Sequence, residues 1–75
     1  MIYFKVPIKI SPSAHQIPDG SWAAWGMIRI MIAGQITDIR IPQPEETFPT
    51  EKTALQRAQG IAYTHLKRQG FVKQN

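Results

Sequence analysis

The feature that most restricts the fold of this chain is a regular alternation of side chains at its start. The apolar series is Ile2, Phe4, Val6, Ile8 and Ile10, and the residues between them are Tyr3, Lys5, Pro7 and Lys9. A period of two over nine residues predicts a half-buried β-strand across residues 2–10. Pro7 has no backbone N–H to donate, so it indicates an edge position or a bulge.

Two further strands are predicted after a loop. The segment SPSAHQIPDGS carries the turn signal Pro-Asp-Gly, in which proline presets its own φ and glycine accepts conformations that other residues resist. Residues 22–33 are apolar on both faces, which is typical of a central strand. A turn at Ala33-Gly34-Gln35 leads into a third strand at 36–41, and Pro42 ends the pairing because it cannot donate to a ladder.

The last predicted element is a helix across residues 51–69. Thr50 is a suitable N-cap, and Gly70 stands where a helix end requires a left-handed residue. Small residues recur every four positions on its apolar face: Ala54, Ala58 and Ala62. This spacing predicts a helix that lies close against the sheet.

Together these elements predict one α+β domain over residues 1–75. It consists of a three-stranded antiparallel meander with a C-terminal helix on one face, the usual two-layer way of burying one side of a sheet. The tail, 71–75, is expected to be frayed. The 75 residues include no cysteine, so neither a disulfide nor a thiolate metal site can support the fold.

The strand order resembles the double-stranded-RNA-binding-domain-like fold, and small bacterial proteins of that shape in particular. The resemblance is carried by PDGSW, the hairpin, and TFPTEKTALQRAQGIAYTHL leading into the helix. HicB-type antitoxins are similar in plan, with a Thr-and-Glu helix start and an alanine-rich face. In RNA-binding members a lysine cluster opens the last helix, whereas the matching positions here are Glu51, Lys52 and Leu55. The resemblance therefore implies a shape, and we transfer no functional residue from either family.

Charge and targeting signals give only broad limits on function. Nine Lys and Arg against five Asp and Glu give a net charge of +4, which permits a polyanionic partner but also serves solubility. The start, MIYFKVPIKI, has neither the basic region nor the unbroken apolar region of a signal peptide. We expect a cytoplasmic protein that does not enter a membrane.

Reactive groups are present but do not form a recognisable site. His15 stands near Ser11, Ser13 and Asp19 in the predicted loop, yet turn chemistry explains those residue types without catalysis. Glu45 and Glu46 are most simply a solvated pair. The two histidines lack metal-ligand spacing, and the glycines are too scattered for a phosphate-binding loop. We expect no enzyme activity, cofactor or metal, with a hydrolase around His15 as a distant alternative.

The sheet face that the helix leaves bare is the candidate binding surface. It is predicted to carry apolar and basic side chains: Tyr3, Lys5, Lys9, Trp25, Met27, Arg29, Met31 and Arg40. Such a face suits a protein partner or a homodimer first, local packing by other parts of the chain second, and nucleic acid third. The sequence thus predicts a small interaction or self-association module, with nucleic-acid binding as the alternative.

Overall fold

The computed structural model describes residues 2–74. In chain order the elements are β1 (Ile2–Phe4), β2 (Ile8–Gln16), β3 (Trp22–Ile32), β4 (Gln35–Arg40), α1 (Glu51–Arg68) and β5 (Val72–Gln74). Strands β2, β3 and β4 form an antiparallel meander, and α1 packs against β2 and β3. The predicted α+β class, with three antiparallel strands and one helix, is confirmed.

Two tight turns hold the meander in register. At the β2–β3 tip, the Ile17 N–H donates to the Ser21 carbonyl at 2.9 Å, and the Asp19 carboxylate accepts from the Ser21 N–H at 2.8 Å. Between β3 and β4 the two turn residues, Ala33 and Gly34, have φ values of 51° and 80°. Positive φ at both central residues is what a type I′ hairpin turn requires. Both turns therefore direct each strand straight back along its neighbour.

The first predicted strand, 2–10, is wrong as a single element. The chain bends at residues 5–7, and only Ile8 onward pairs with β3, in the register Ile8↔Ile30. The bend coincides with Pro7, which cannot donate to a ladder, although its carbonyl still accepts from the Met31 N–H at 3.0 Å. Strand β1 consequently leaves the three-stranded sheet and pairs elsewhere.

The predicted loop after Ile10 is also shorter than expected. Strand β2 continues through Pro12 to Gln16 and pairs with β3 as far as Gln16↔Trp22. Pro12 is tolerated because β2 pairs only with β3 among residues 2–74, so the proline lies on an edge strand. The turn signal Pro-Asp-Gly marks only the tip of the hairpin.

The tail differs from its predicted frayed state. Residues Val72–Gln74 form β5, which pairs antiparallel with β1 in the register Phe4↔Val72. The Lys5 N–H donates to the Phe71 carbonyl at 2.9 Å and extends this contact toward the bend. The two ends of the described chain therefore form a separate two-stranded sheet, which explains where β1 goes when it leaves the meander.

The helix begins and ends within one residue of its predicted bounds. The Thr50 hydroxyl accepts from the Thr53 N–H at 3.1 Å as an N-cap. At the other end Gly70 has φ 83°, and the Phe71 N–H donates to the Leu66 carbonyl at 3.0 Å, as in a Schellman motif. The predicted capping is therefore present at both termini.

The core lies between α1 and the inner face of the meander. One stripe of α1, consisting of Ala54, Ala58, Ala62 and Leu66, is fully buried. Ala62 and Leu66 pack with Ile28, Ile30 and Ile41, whereas Ala54 and Ala58 pack with Ala24 and Phe48. Small helix residues allow the helix to approach the sheet closely, and all of this packing is on one side. The opposite side of the meander is left without a helix.

Candidate binding face

The side of the meander that points away from α1 follows directly from strand alternation. In β3, Ala24, Ile28 and Ile30 are buried toward the helix, so the odd-numbered residues point the other way. The pairing register extends this surface across the neighbouring strands. We call it the open face, and its exposed or half-buried residues are Lys9, Ser11, Ser13, His15, Trp25, Met27, Arg29, Met31, Ile36, Asp38 and Arg40.

The structure brings most of the predicted binding residues together on the open face and separates two of them. The group that shares it is Lys9, Trp25, Met27, Arg29, Met31 and Arg40. Tyr3 belongs to β1, and Lys5 is an exposed residue of the bend, so both lie outside the meander. The prediction included them because it extended one strand across Pro7.

A charged row crosses the middle of the open face. Lys9 lies opposite Arg29, and Arg29 lies opposite Asp38. The Arg29 Nε and Nη2 donate to the two carboxylate oxygens of Asp38 at 2.9 and 3.2 Å. These hydrogen bonds lower the pKa of Asp38 and raise that of Arg29 from their ordinary values. The charge of Arg29 is therefore compensated within the chain.

Apolar side chains lie on both sides of that row. Met27 and Met31 are 38% and 40% exposed, and Ile36, which pairs with Met31, is 55% exposed. A depression of about 160 Å³ lined by Pro7, Ile8, Lys9, Arg29 and Met31 lies next to them. Methionine adapts its shape to a partner and is over-used on binding surfaces. This part of the open face can bury apolar area against another molecule.

An aromatic group occupies the other end of the open face. Trp25 is half-buried, and the His15 ring meets it edge-on with ring centroids 6.4 Å apart. The Arg40 guanidinium carbon lies 6.0 Å from the Trp25 ring centroid, at the limit of a cation–π contact. Neither Lys9 nor Arg40 has a carboxylate within ion-pair distance among residues 2–74. These two cations leave positive charge available beside an apolar centre.

Sequence reasoning missed part of the open face: Ser11, Ser13, His15, Ile36 and Asp38. A signal for the β2 residues was present, because Lys9, Ser11, Ser13 and His15 continue the alternation that began at Tyr3. Pro7 and Pro12 interrupt this alternation, and Pro12 favoured the prediction of a loop over a continuing strand. Ile36 and Asp38 lie on the same side of the predicted third strand as Arg40, so the alternation that placed Arg40 on this face applied to them as well.

The groups considered for catalysis do not converge. Ser11, Ser13 and His15 share one face of β2, whereas Asp19 lies at the hairpin tip, where its carboxylate accepts from both the N–H and the hydroxyl of Ser21. Those two bonds lower the pKa of Asp19. The two adjacent carboxylates, Glu45 and Glu46, have different surroundings, because the Glu46 carboxylate lies 3.6 Å from the Arg57 guanidinium. The absence of enzyme activity stays a prediction.

Comparison with protein-family models, with curated proteins and with solved structures gives no match for this chain. Between residues 2 and 74, His, Asp and Glu do not gather in any group of three or more that could hold a metal ion. The helix of this part of the chain is also not apolar enough to cross a membrane.

Proposed function

We propose that this chain is a non-enzymatic binding module that associates with a second copy of itself through the open face. The observation that carries the proposal is the exposed apolar area on the side of the meander that α1 does not cover, with Met27 on one side of the Arg29–Asp38 pair and Met31 and Ile36 on the other. Burying this group against a partner removes apolar area from water. The lack of cysteine is compatible with a cytoplasmic location, which is part of the same proposal.

The arrangement of charges favours a second copy as the occupant. The row Lys9, Arg29 and Asp38 runs across the sheet with β3 at its centre. A two-fold axis along β3 brings β2 of one copy over β4 of the other, so that Lys9 of each copy faces Asp38 of its partner. The same axis puts Met27 over Met27, Met31 over Met31 and Arg29 over Arg29, and each Arg29 charge is compensated by Asp38 of its own chain. A self-complementary surface of this kind is what an isologous dimer requires.

The size of the open face sets the expected strength of the dimer. Three strands spaced about 4.8 Å apart and about nine residues long, at about 3.3 Å each, give a face of roughly 14 by 30 Å. Two such faces bury an area at the low end of specific interfaces, in the class of weak and transient contacts. We therefore expect a dissociation constant in the range of about 10 µM to 1 mM.

Sedimentation equilibrium between about 10 µM and 1 mM tests the proposal over that range. The protein should move from monomer to dimer, and Met31→Lys should weaken the dimer because it introduces two like charges that face each other on the two-fold axis. Ile32→Lys is the matched control, because it introduces the same charge at a residue that is 48% exposed but has the opposite parity in β3. A wild-type monomer throughout, or equal effects of the two changes, would overturn the proposal.

Nucleic-acid binding is a second candidate, supported by the Trp25 and Arg40 pair with Lys9 on the same face. A half-buried aromatic beside two cations is a stacking platform with phosphate partners nearby. An RNA ligand would bind this face and not the start of the helix, because the helix start has Lys52 as its single basic residue. Titration of the Trp fluorescence with single-stranded oligonucleotide at two salt concentrations separates the candidates: no salt-dependent binding removes nucleic acid.

A further inference from the structure

A second candidate site lies on the helix, away from the open face. A groove of about 250 Å³ runs along the flank of α1 beside the segment that follows β4. Its lining consists of Pro42, Arg57, Gly60, Ile61, Thr64, His65 and Arg68. The helical members recur at spacings of three and four, so they form one continuous stripe. The groove is therefore built almost entirely by one face of the helix.

The groove is lined by cations and by no carboxylate. Arg57 and Arg68 stand at its two ends, and His65 and the Thr64 hydroxyl lie between them. The nearest compensating group is Glu46, whose carboxylate is 3.6 Å from the Arg57 Nε, with both side chains more than half exposed. Exposed pairs of this kind are weak, so an anionic ligand can compete with Glu46 for Arg57. The charge of the groove favours an anion.

Gly60 forms an open floor between those cations. It lies in the interior of an 18-residue helix, where glycine is the least favourable residue apart from proline. Its φ is not positive, and a Cβ built on it meets no atom within 4 Å. Neither backbone conformation nor packing in the described chain requires a glycine here. A glycine that lowers the stability of a helix without a structural need is typical of a functional site.

We propose that this groove binds a small phosphorylated molecule, with the phosphate seated over the turn between Gly60 and Thr64, about midway along the helix between Arg57 and Arg68. The guanidinium groups of Arg57 and Arg68 reach it from the two ends and donate paired hydrogen bonds, for which their planar fork is suited. Thr64 lies one turn beyond Gly60 and donates its hydroxyl from the same stripe. The groove is smaller than the pockets that hold drug-sized ligands, so the ligand is a compact phosphate ester.

The negative end of the helix dipole lies beside Arg68 and works against an anion there. The last turn carries Lys67 and Arg68, whose positive charges offset that end of the dipole. The seat between Gly60 and Thr64 is also more than one turn from the C-cap at Gln69, beyond the range in which the dipole acts strongly. The guanidinium groups therefore dominate the electrostatics of the groove.

The test uses the ¹⁵N-labelled 75-residue chain titrated with glycerol 3-phosphate and, separately, inorganic phosphate, at an ionic strength held constant with sodium chloride. We expect saturable shifts of the amides around Gly60 and Thr64, with the ester binding more tightly than phosphate alone. Tighter binding of inorganic phosphate would overturn the assignment to an ester. Shifts that follow ionic strength alone would overturn the site.

Variants separate a built site from general positive charge. Arg68→Gln should weaken binding by about tenfold, as expected for a lost charged hydrogen bond. Lys67→Gln removes the same charge from the same turn, but Lys67 lies outside the groove. The affinity of this variant for glycerol 3-phosphate should therefore stay within about twofold of the wild-type value. Equal losses of affinity in the two variants would show that the anion responds only to general positive charge, and this result would overturn the proposal.

Gly60→Ala gives the sharpest result, because it should raise the melting temperature by about 4 °C while weakening binding by about tenfold. Glu46→Gln should strengthen binding, since it frees Arg57. A Gly60→Ala variant that binds as tightly as the wild type would contradict the assigned floor.

Discussion

Arg29 and Asp38 face each other across β3 and β4, joined by two hydrogen bonds of 2.9 and 3.2 Å at the centre of the open face. Both groups are solvent-exposed, so the pair contributes little to stability. Its main effect is on the charge of the open face, because Asp38 neutralises Arg29, which lies between Met27 and Met31. The apolar area around it can then be buried at a lower cost of desolvation.

The first prediction concerns the titration of Asp38. Its pKa is lowered in the folded chain, chiefly by the hydrogen bonds from Arg29, so NMR titration of its carboxyl carbon should give a pKa below 3.8. Because the folded value is the lower one, the stabilisation is complete above the unfolded-state pKa and is lost as the pH falls through the folded pKa. Arg29→Gln should return the pKa toward its ordinary value. Titration of Asp38 at the same pH in both proteins would contradict the bidentate contact.

The second prediction contrasts two glycines. A Cβ on Gly26 would collide with the Ser11 carbonyl oxygen and approach the Ile41 Cδ1 to 2.8 Å, and the φ of Gly26 is 152°. Gly26→Ala should lower the free energy of unfolding by about 3 kcal/mol through overpacking and backbone strain. Gly60→Ala, in open space, should raise it by about 0.5 to 1 kcal/mol. Urea denaturation measures both, and two changes of the same sign would contradict the packing of β3 against β2.

The third prediction tests the end of the chain. Phe71 is partly buried against the core, and its N–H caps the helix. Phe71→Ala should lower the free energy of unfolding by about 2 kcal/mol, less than the roughly 3 to 5 kcal/mol of a fully buried phenylalanine. Gln59→Ala, on the exposed side of α1, is the control and should change it by less than about 0.5 kcal/mol. Equal small effects would show that the tail is frayed after all.

The sequence was a good guide where one local signal acted alone. The helix and its caps were predictable because Thr50 and Gly70 each satisfy backbone groups within a few residues. Strand β3 was predictable because residues 22–33 are apolar on both faces, as in a central strand, and lie between two turn signals. The inward and outward residues of β3 followed from the same alternation, which supplied most of the candidate face.

The sequence was a poor guide where a distant partner decides the outcome. Pro7 indicates that the predicted strand 2–10 is interrupted, but only the pairing of β1 with β5 shows where the first part of that strand lies. Pro12 suggests a loop, yet an edge strand accepts it. The opposition of Arg29 and Asp38 depends on the register set by the turn at Ala33 and Gly34. The pairing of β1 with β5 has no local signature, because it joins segments at opposite ends of the described residues.

The most direct test of the central claim is a charge exchange measured by sedimentation equilibrium. Lys9→Glu and Asp38→Lys should each weaken the dimer by about fivefold or more, because each puts like charges opposite one another across the two-fold axis. Combining the two changes restores the opposition of unlike charges, and the carboxylate introduced in β2 would then lie opposite Arg29 as its new partner within the chain. The double variant should dimerise more tightly than either single variant. A double variant as weak as the single variants, or a wild-type chain that stays monomeric at about 1 mM, would contradict association through the open face.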